Sequence, residues 1–223
     1  MRKLFWFLVV LVVLAVGADR AADYVAEQAI ADKVQTSQHL RSAPDVDVTG
    51  FPFLTQLYRQ RFDEVTATAA DVPVGQGRRS VTLSRLSLTF FDVRADRRFT
   101  RFEAATGRAR ATLPYDELSR VVGLQVGYGG RGQVRARKTF TVAGQRLRPT
   151  ITVDPQMVDG ALTFTNSTLE NGIPAPVTAA LRQAFAIDVP LTKLPFDVRV
   201  SSVRADKAGI ELRLVGKDLR YSR

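Results

Sequence analysis

From residue 45 onward the chain alternates. Val46 and Val48 are interleaved with Asp45 and Asp47, the two-residue period of a short, half-buried strand. Residues 62–72 resume that period. The run "SVTLSRLSLTFFDV", residues 80–93, sets Val81 and Leu83 on one phase and Leu86, Leu88 and Phe90 on the other. One extra residue near Ser84 and Arg85 reconciles the two phases, which is what a β-bulge supplies. Residues 99–113 read as another long strand, with Gly107 inside it. After the glycine-rich turn "GYGGRG" (127–132), Val134, Ala136, Phe140 and Val142 oppose Arg135, Arg137, Thr139 and Thr141, and Lys138 breaks the apolar row. "AG" (143–144) makes a tight turn. Leu147, Ile151 and Val153 then alternate with Arg146, Arg148, Thr150 and Thr152, "DPQMVDG" turns again, and residues 161–168 follow. A hairpin closes the chain: Phe196, Val198 and Val200, a turn at "DKAG" (206–209), then Ile210, Leu212 and Leu214.

A helical period appears in four places. Over residues 19–40, Ala21, Ala22, Val25, Ala29, Ile30 and Val34 gather near one face, with Asp23, Glu27, Lys33 and Gln38 on the other. "SAPD" (42–45) ends this helix, because the residue before a proline avoids helical geometry. "GFPFLTQLYRQRFDEV" (50–65) predicts a turn and two helical turns after Pro52. "PYDELSRVV" (114–122) is a short helix opened by Pro114 and charged early by Asp116 and Glu117. Residues 174–186 place Val177, Leu181 and Phe185 on one side. About nine strands joined mainly by hairpins, with three or four helices, predict an antiparallel α+β fold. No repeat, low-complexity block or long linker interrupts it, so residues 19–223 are expected to form one domain.

The N-terminus differs from the rest. Arg2 and Lys3 precede "LFWFLVVLVVLAVGA" (4–18), an uncharged run that ends in the small residues Val16, Gly17 and Ala18. That is the layout of an export signal. Fifteen residues fall short of the roughly 20 that cross a bilayer. The segment is therefore expected either to be removed or to remain as an anchor, and the chain is expected outside the cytoplasm, in the periplasm or cell envelope. The formal charge of +10 falls by two if residues 1–18 leave, since Arg2 and Lys3 are their only charges. A basic exported chain meets anionic lipid and wall polymer rather than nucleic acid.

Residues that carry catalysis are scarce. There is no cysteine and one histidine, His39, so thiol nucleophiles, thiolate metal sites and His clusters are excluded. No G-x-S-x-G pattern occurs. "DVDVTG" departs from a calcium loop at Thr49. Asp63, Glu64, Asp116 and Glu117 lie in strand and helix-start contexts, so a two-carboxylate glycosidase finds no distinctive pair. Asn166 opens a glycosylation-type triplet, "NST", that is common by chance. The expectation is a protein with no metal, no cofactor and no catalytic residues. Two readings of its apolar strands stay open: a sheet over its own core, or a groove for acyl chains in which each buried methylene contributes about 0.8 kcal/mol.

"GFPFLTQLYRQRFDEV" resembles the hallmark segment of the LmeA-like phospholipid-binding family of actinobacterial cell envelopes. "LTFFDVR", "ATLPYDELSRVV" and "LPFDVRVSSVRADKAGIELRLVGKDL" are also similar to that family, whose proline pair before the last hairpin appears here as Pro190 and Pro195. The basic set at 131–138 departs from the pattern. The resemblance implies a periplasmic phospholipid-binding protein linked to lipomannan and mannan maintenance. It also implies a curved sheet wrapped around the N-terminal helix and the later amphipathic helix, like tubular lipid-binding folds. On that reading Phe51, Phe53, Leu54 and Leu57 line one end of an apolar groove, and Leu86, Leu88, Phe90 and Phe185 continue it. Arg135, Arg137, Arg146 and Arg148 face anionic phospholipid or the membrane surface. The alternative is a structural or chaperone-like envelope protein that steadies a membrane glycosyltransferase and carries no lipid.

Overall fold

A computed structural model describes residues 2–38, 40–74, 80–98, 100–142, 144–158, 161–169, 173–186, 189–190 and 199–222. His39, Phe99, Ala143, residues 159–160, Pro195, Phe196 and Val198 lie outside them. The chain order is α1 (Arg2–Gln38), β1 (Asp45–Thr49), α2 (Phe53–Arg59), β2 (Arg61–Val74), β3 (Val81–Ala95), β4 (Arg101–Leu113), α3 (Tyr115–Val122), β5 (Gln125–Gly130), β6 (Gln133–Arg137), β7 (Phe140–Val142) and β8 (Gln145–Leu147). It continues with β9 (Thr150–Val158), β10 (Ala161–Leu169), α4 (Ala175–Phe185), β11 (Val189–Pro190), β12 (Arg199–Ala205) and β13 (Ile210–Ser222). The α+β architecture follows the sequence pattern. A six-stranded sheet runs β1-β2-β3-β4-β13-β12 and stays open at both edges, a five-stranded sheet runs β11-β10-β9-β6-β5, and β7-β8 is a separate hairpin.

Three elements differ from expectation. Helix α1 begins at Arg2, not near residue 19, because nothing between Leu4 and Ala18 caps or breaks it. The glycines at 127–130 lie inside β5, so the turn narrows to Arg131 and Gly132, both at positive φ (53° and 82°). "DPQM" continues β9 instead of turning. The ladder between β9 and β6 ends at Val153, so Pro155 sits where β9 has a free edge, while it still pairs with Phe164 of β10.

The chain divides into two compact units. The first contains residues 1–69, 87–108 and 216–223. In it α1 lies against β1 and α2, and β1 pairs antiparallel with β2, Val46 facing Ala67 and Val48 facing Val65. Val46 and Val48 are buried while Asp45, Asp47 and Thr49 are exposed, the alternation read from sequence. Ala31, Phe53, Phe62, Val93, Ala104 and Leu219 complete its buried apolar set among the described residues.

The second unit contains residues 70–86 and 109–215. Val81, Leu83, Leu113, Ile210 and Leu212 of one sheet and Val134, Ala136, Ile151, Val153 and Leu162 of the other form its core, closed by Leu118 of α3 and by Val177, Leu181 and Phe185 of α4. The α3 corner is pinned from outside the helix. Tyr115 Oη donates to the carbonyl of Asp206 at 2.6 Å. Gly209 (φ 155°) lies so close to the Leu113 carbonyl that any Cβ would overlap it.

On β3 the alternation of Val81 and Leu83 stops where a change of phase was expected, but residues 86–91 are all half-buried, so burial shows no opposite phase. Ser84 and Arg85 are both exposed, separating buried Leu83 from half-buried Leu86, Leu88 and Phe90. Asp92 takes a left-handed backbone (φ 51°), and Val93 beside it is buried.

Candidate lipid-binding and membrane-contact site

The segment Gly50–Tyr58 is first a folding device. Pro52 stands at the N-cap of α2 and offers no side-chain acceptor, so the first helical N–H groups need a partner from elsewhere. Asp19 of α1 supplies it. Its Oδ2 accepts the N–H of Phe53 at 2.9 Å and its Oδ1 accepts that of Leu54 at 2.8 Å, with Asp19 itself only 3% exposed. Gln56 is buried, and its Oε1 accepts the N–H of Asp63 at 2.9 Å. Its amide nitrogen occupies the place where a Cβ on residue 50 would stand. Gly50 (φ 127°) therefore meets both a backbone and a space requirement that no other residue satisfies. Phe53 packs near Phe62, ring centroids 6.4 Å apart.

The other motif residues point out. Phe51 is 58% exposed, Leu54 43% and Tyr58 90%, while Leu57 is half-buried. The guanidinium of Arg20 lies 5.4 Å from the centre of the Phe51 ring. Along α1, Trp6, Phe7, Leu8, Leu11, Val13 and Leu14 are all at least half exposed. A helix that is apolar on every side is at home only in an apolar medium. Among the described residues no helix is long and apolar enough to cross a membrane. Of the remaining groove candidates, Leu86, Leu88 and Phe90 are half-buried on β3, and Phe185 is buried edge-on to Phe164 at 5.2 Å.

In the second unit a cavity of about 550 Å³ is lined by Gly123, Leu124, Gln125, Arg137, Lys138, Thr139, Arg148 and Thr150. Three cations converge on it with no carboxylate in the lining, and among the described residues none of the three has an ion-pair partner. The C-terminal end of α3, capped at Gly123, offers roughly half a negative charge, too little to balance three positive ones. The structure thus brings Arg137 and Arg148 together. Arg135 and Arg146 are exposed and line neither cavity described here. A second cavity, about 340 Å³ and in the first unit, is charge-balanced: Arg61, Arg94 and Arg220 against Asp92, Glu103 and Asp218.

Titration follows these surroundings. Burial raises Asp23, opposed by Arg20 and reinforced by Asp47 and Asp19. Burial likewise raises Glu27, against the hydrogen bond that its Oε1 accepts from Val48 N–H at 2.8 Å. The Arg120 guanidinium, 2.6 Å away, holds Glu117 below the usual carboxylate range, and Thr82 N–H adds to this. Burial, with Asp206 and Tyr128 adding, pushes Tyr115 up to about 12. These shifts belong to helix ends and buried contacts. Among the described residues no three of His, Cys, Asp or Glu could hold a metal ion.

Residues 17–215 match the model of the LmeA-like phospholipid-binding family. The chain belongs to that family. No curated protein and no solved structure matches it. The LmeA-like match starts at Gly17, so it includes Asp19 and the whole Gly50–Gln56 knot while the exposed apolar half of α1 precedes it. In this LmeA-like chain Gly50, Phe53 and Gln56 of the hallmark segment serve the fold, while Phe51, Leu54 and Tyr58 stay exposed. Sequence reasoning missed Asp19 and Gln56 as anchors of the motif, and Thr139 and Thr150 beside Arg137 and Arg148; Lys138 was noted only within the basic set at 131–138. The only available cue was spacing, since Lys138 interrupts the apolar row of the meander.

Proposed function

We propose that the chain is an exported cell-envelope protein that binds anionic phospholipid and so supports lipoglycan (lipomannan and mannan) maintenance. Family membership over residues 17–215 carries the reading. The exposed apolar side chains of α1 support attachment to a membrane through residues 4–18, and Arg137, Lys138 and Arg148, without an ion-pair partner among the described residues, support selection of an anionic headgroup. The chain needs no catalytic group for this role. Native mass spectrometry of protein extracted from its own membranes tests it. A stoichiometric phospholipid adduct is expected, and a mass that stays free of lipid after incubation with anionic vesicles would sink the reading.

One observation favours a second reading. Phe53 and Phe185 fill buried core positions, and both cavities described here are lined largely by charged and polar groups. A protein with those features could steady a membrane glycosyltransferase by contact and carry no lipid. Co-purification of such an enzyme with lipid-free protein would decide for it.

A further inference from the structure

The bond from Asp19 to Phe53 sets α2 beside α1 at the residue where the apolar run ends. Within the first unit this juxtaposes two exposed apolar surfaces. One is the all-round apolar helix from Trp6 to Val16. The other is the outward side of the motif, Phe51, Leu54 and Tyr58. We propose that Phe51, Leu54 and Tyr58 form an interfacial patch that dips into the headgroup region of the lipid bilayer entered by the apolar half of α1. The proposal rests on that membrane attachment and deepens it by naming the second contact.

Three features favour a lipid surface as the occupant. Residues 4–18 as a helix extend about 22 Å at 1.5 Å per residue, whereas the hydrocarbon core is about 30 Å thick. A short apolar helix is accommodated by local thinning of the bilayer and by flanking residues reaching to the interface, which brings the surface beside it close to the headgroups. The shortfall of about 8 Å falls within the depth of roughly 5–10 Å reached by apolar side chains of interfacial helices. Charge at the junction is arranged to match. Asp19 and Asp23 directly follow the apolar run, yet both are turned inward, 3% and 7% exposed. Arg20 pairs with Asp23 at 3.5 Å yet keeps its side chain 59% exposed beside Phe51, so its outward side faces where anionic headgroups would lie. Tyr58, with its apolar ring and polar tip, is a residue type that settles at that boundary.

The test uses the full-length chain in phosphatidylglycerol vesicles whose acyl chains are brominated near the headgroup. Trp6 is the only tryptophan and reports insertion of α1. Tyr58→Trp in a Trp6→Phe background reports the patch; at 90% exposure the change disturbs no packing. Val158→Trp in the same background is the control, an exposed position on β9. Emission from Tyr58→Trp is expected to fall by about half on bromination, as for a side chain at interfacial depth, while Val158→Trp is unchanged. Quenching of Trp6 without quenching of Tyr58→Trp would overturn the patch and leave the membrane attachment standing. Failure of both would remove both. Equal quenching of Val158→Trp would show unspecific adsorption and likewise overturn the patch.

Discussion

The carboxylate of Asp19 accepts the backbone N–H of Phe53 at 2.9 Å and, through its other oxygen, that of Leu54 at 2.8 Å. A helix whose own N-cap is proline is thus capped by a residue 34 positions earlier in the chain. Replacing Asp19 with Ala leaves one buried and one part-buried donor without acceptors, the buried one at about 1–3 kcal/mol and the other at less. The expected loss is about 2–4 kcal/mol, a fall in Tm of roughly 4–16 °C for a chain of this size. Thermal unfolding followed by circular dichroism measures it, and an unchanged Tm would show that the cap contributes nothing.

Gly50 and Gln56 are expected to be coupled. Gly50→Ala meets the Gln56 amide and also places a side chain at φ 127°, a strained backbone that costs about 1–3 kcal/mol alone. Shortening Gln56 to Ala frees the space but leaves the backbone strain. In a double-mutant cycle the pair should lose less stability than the sum of the two single changes. Strict additivity would mean that the overlap is relieved some other way.

Asp23 and Glu27 carry folded-state pKa values raised mainly by burial. For such a group the native state holds its proton more tightly than the unfolded chain does. Its contribution to stability is therefore fully present below the unfolded value and is lost as pH rises through the folded one. Asp23→Asn mimics the protonated form. It is expected to raise Tm at pH 7 and to lose that advantage as pH falls towards the ordinary aspartate value of 3.8. A gain that persisted unchanged below that pH would rule out the carboxylate charge as its cause.

Arg137 and Arg148 share a cavity, whereas Arg135 and Arg146 do not line it. The pair Arg137→Gln and Arg148→Gln is expected to weaken binding of a short-chain phosphatidylglycerol by about tenfold or more, since each charge-assisted hydrogen bond is worth about 1.5–3 kcal/mol. Arg135→Gln with Arg146→Gln removes the same net charge and should alter only the salt-dependent attraction to vesicles. Isothermal titration at two salt concentrations separates these effects. Equal weakening by both pairs would mean that net charge alone attracts the lipid.

Tyr115 should titrate late. With its pKa pushed up to about 12, its phenol is expected to stay protonated at pH 11, as read by comparing ultraviolet difference spectra of the wild type and Tyr115→Phe. Because the folded value is raised, stability from this group is present below the unfolded value near 10 and declines as pH rises towards 12. Tyr115→Phe removes the bond to the Asp206 carbonyl and should cost about 1 kcal/mol.

Much of this protein was determined by sequence alone, wherever structure depends on neighbours along the chain. The period of two gave Val46 and Val48 inward and Asp45 and Asp47 outward. The short helix opened by Pro114 was legible for the same kind of reason, as was the apolar side of α4 at Val177, Leu181 and Phe185. The Gly50–Gln56 motif was enough to suggest the family. Only the tertiary structure decided what those residues do, because each role depends on a partner distant in sequence. Asp19, on the border of an apolar run, became the cap of α2. Phe51 and Phe53, two residues apart and alike by type, were sent to opposite fates, one outward and one into the core, since Pro52 and the docked N-terminus of α2 set their directions. Pro155 stayed within a strand because its neighbour β6 had already ended. Arg137 and Arg148 were brought to one cavity by the ladder between β6 and β9, while Arg135 and Arg146, identical in chemistry and close in sequence, were left outside its lining. Alternation along a strand fixes a face, and only the packing of strands from distant parts of the chain fixes what that face meets.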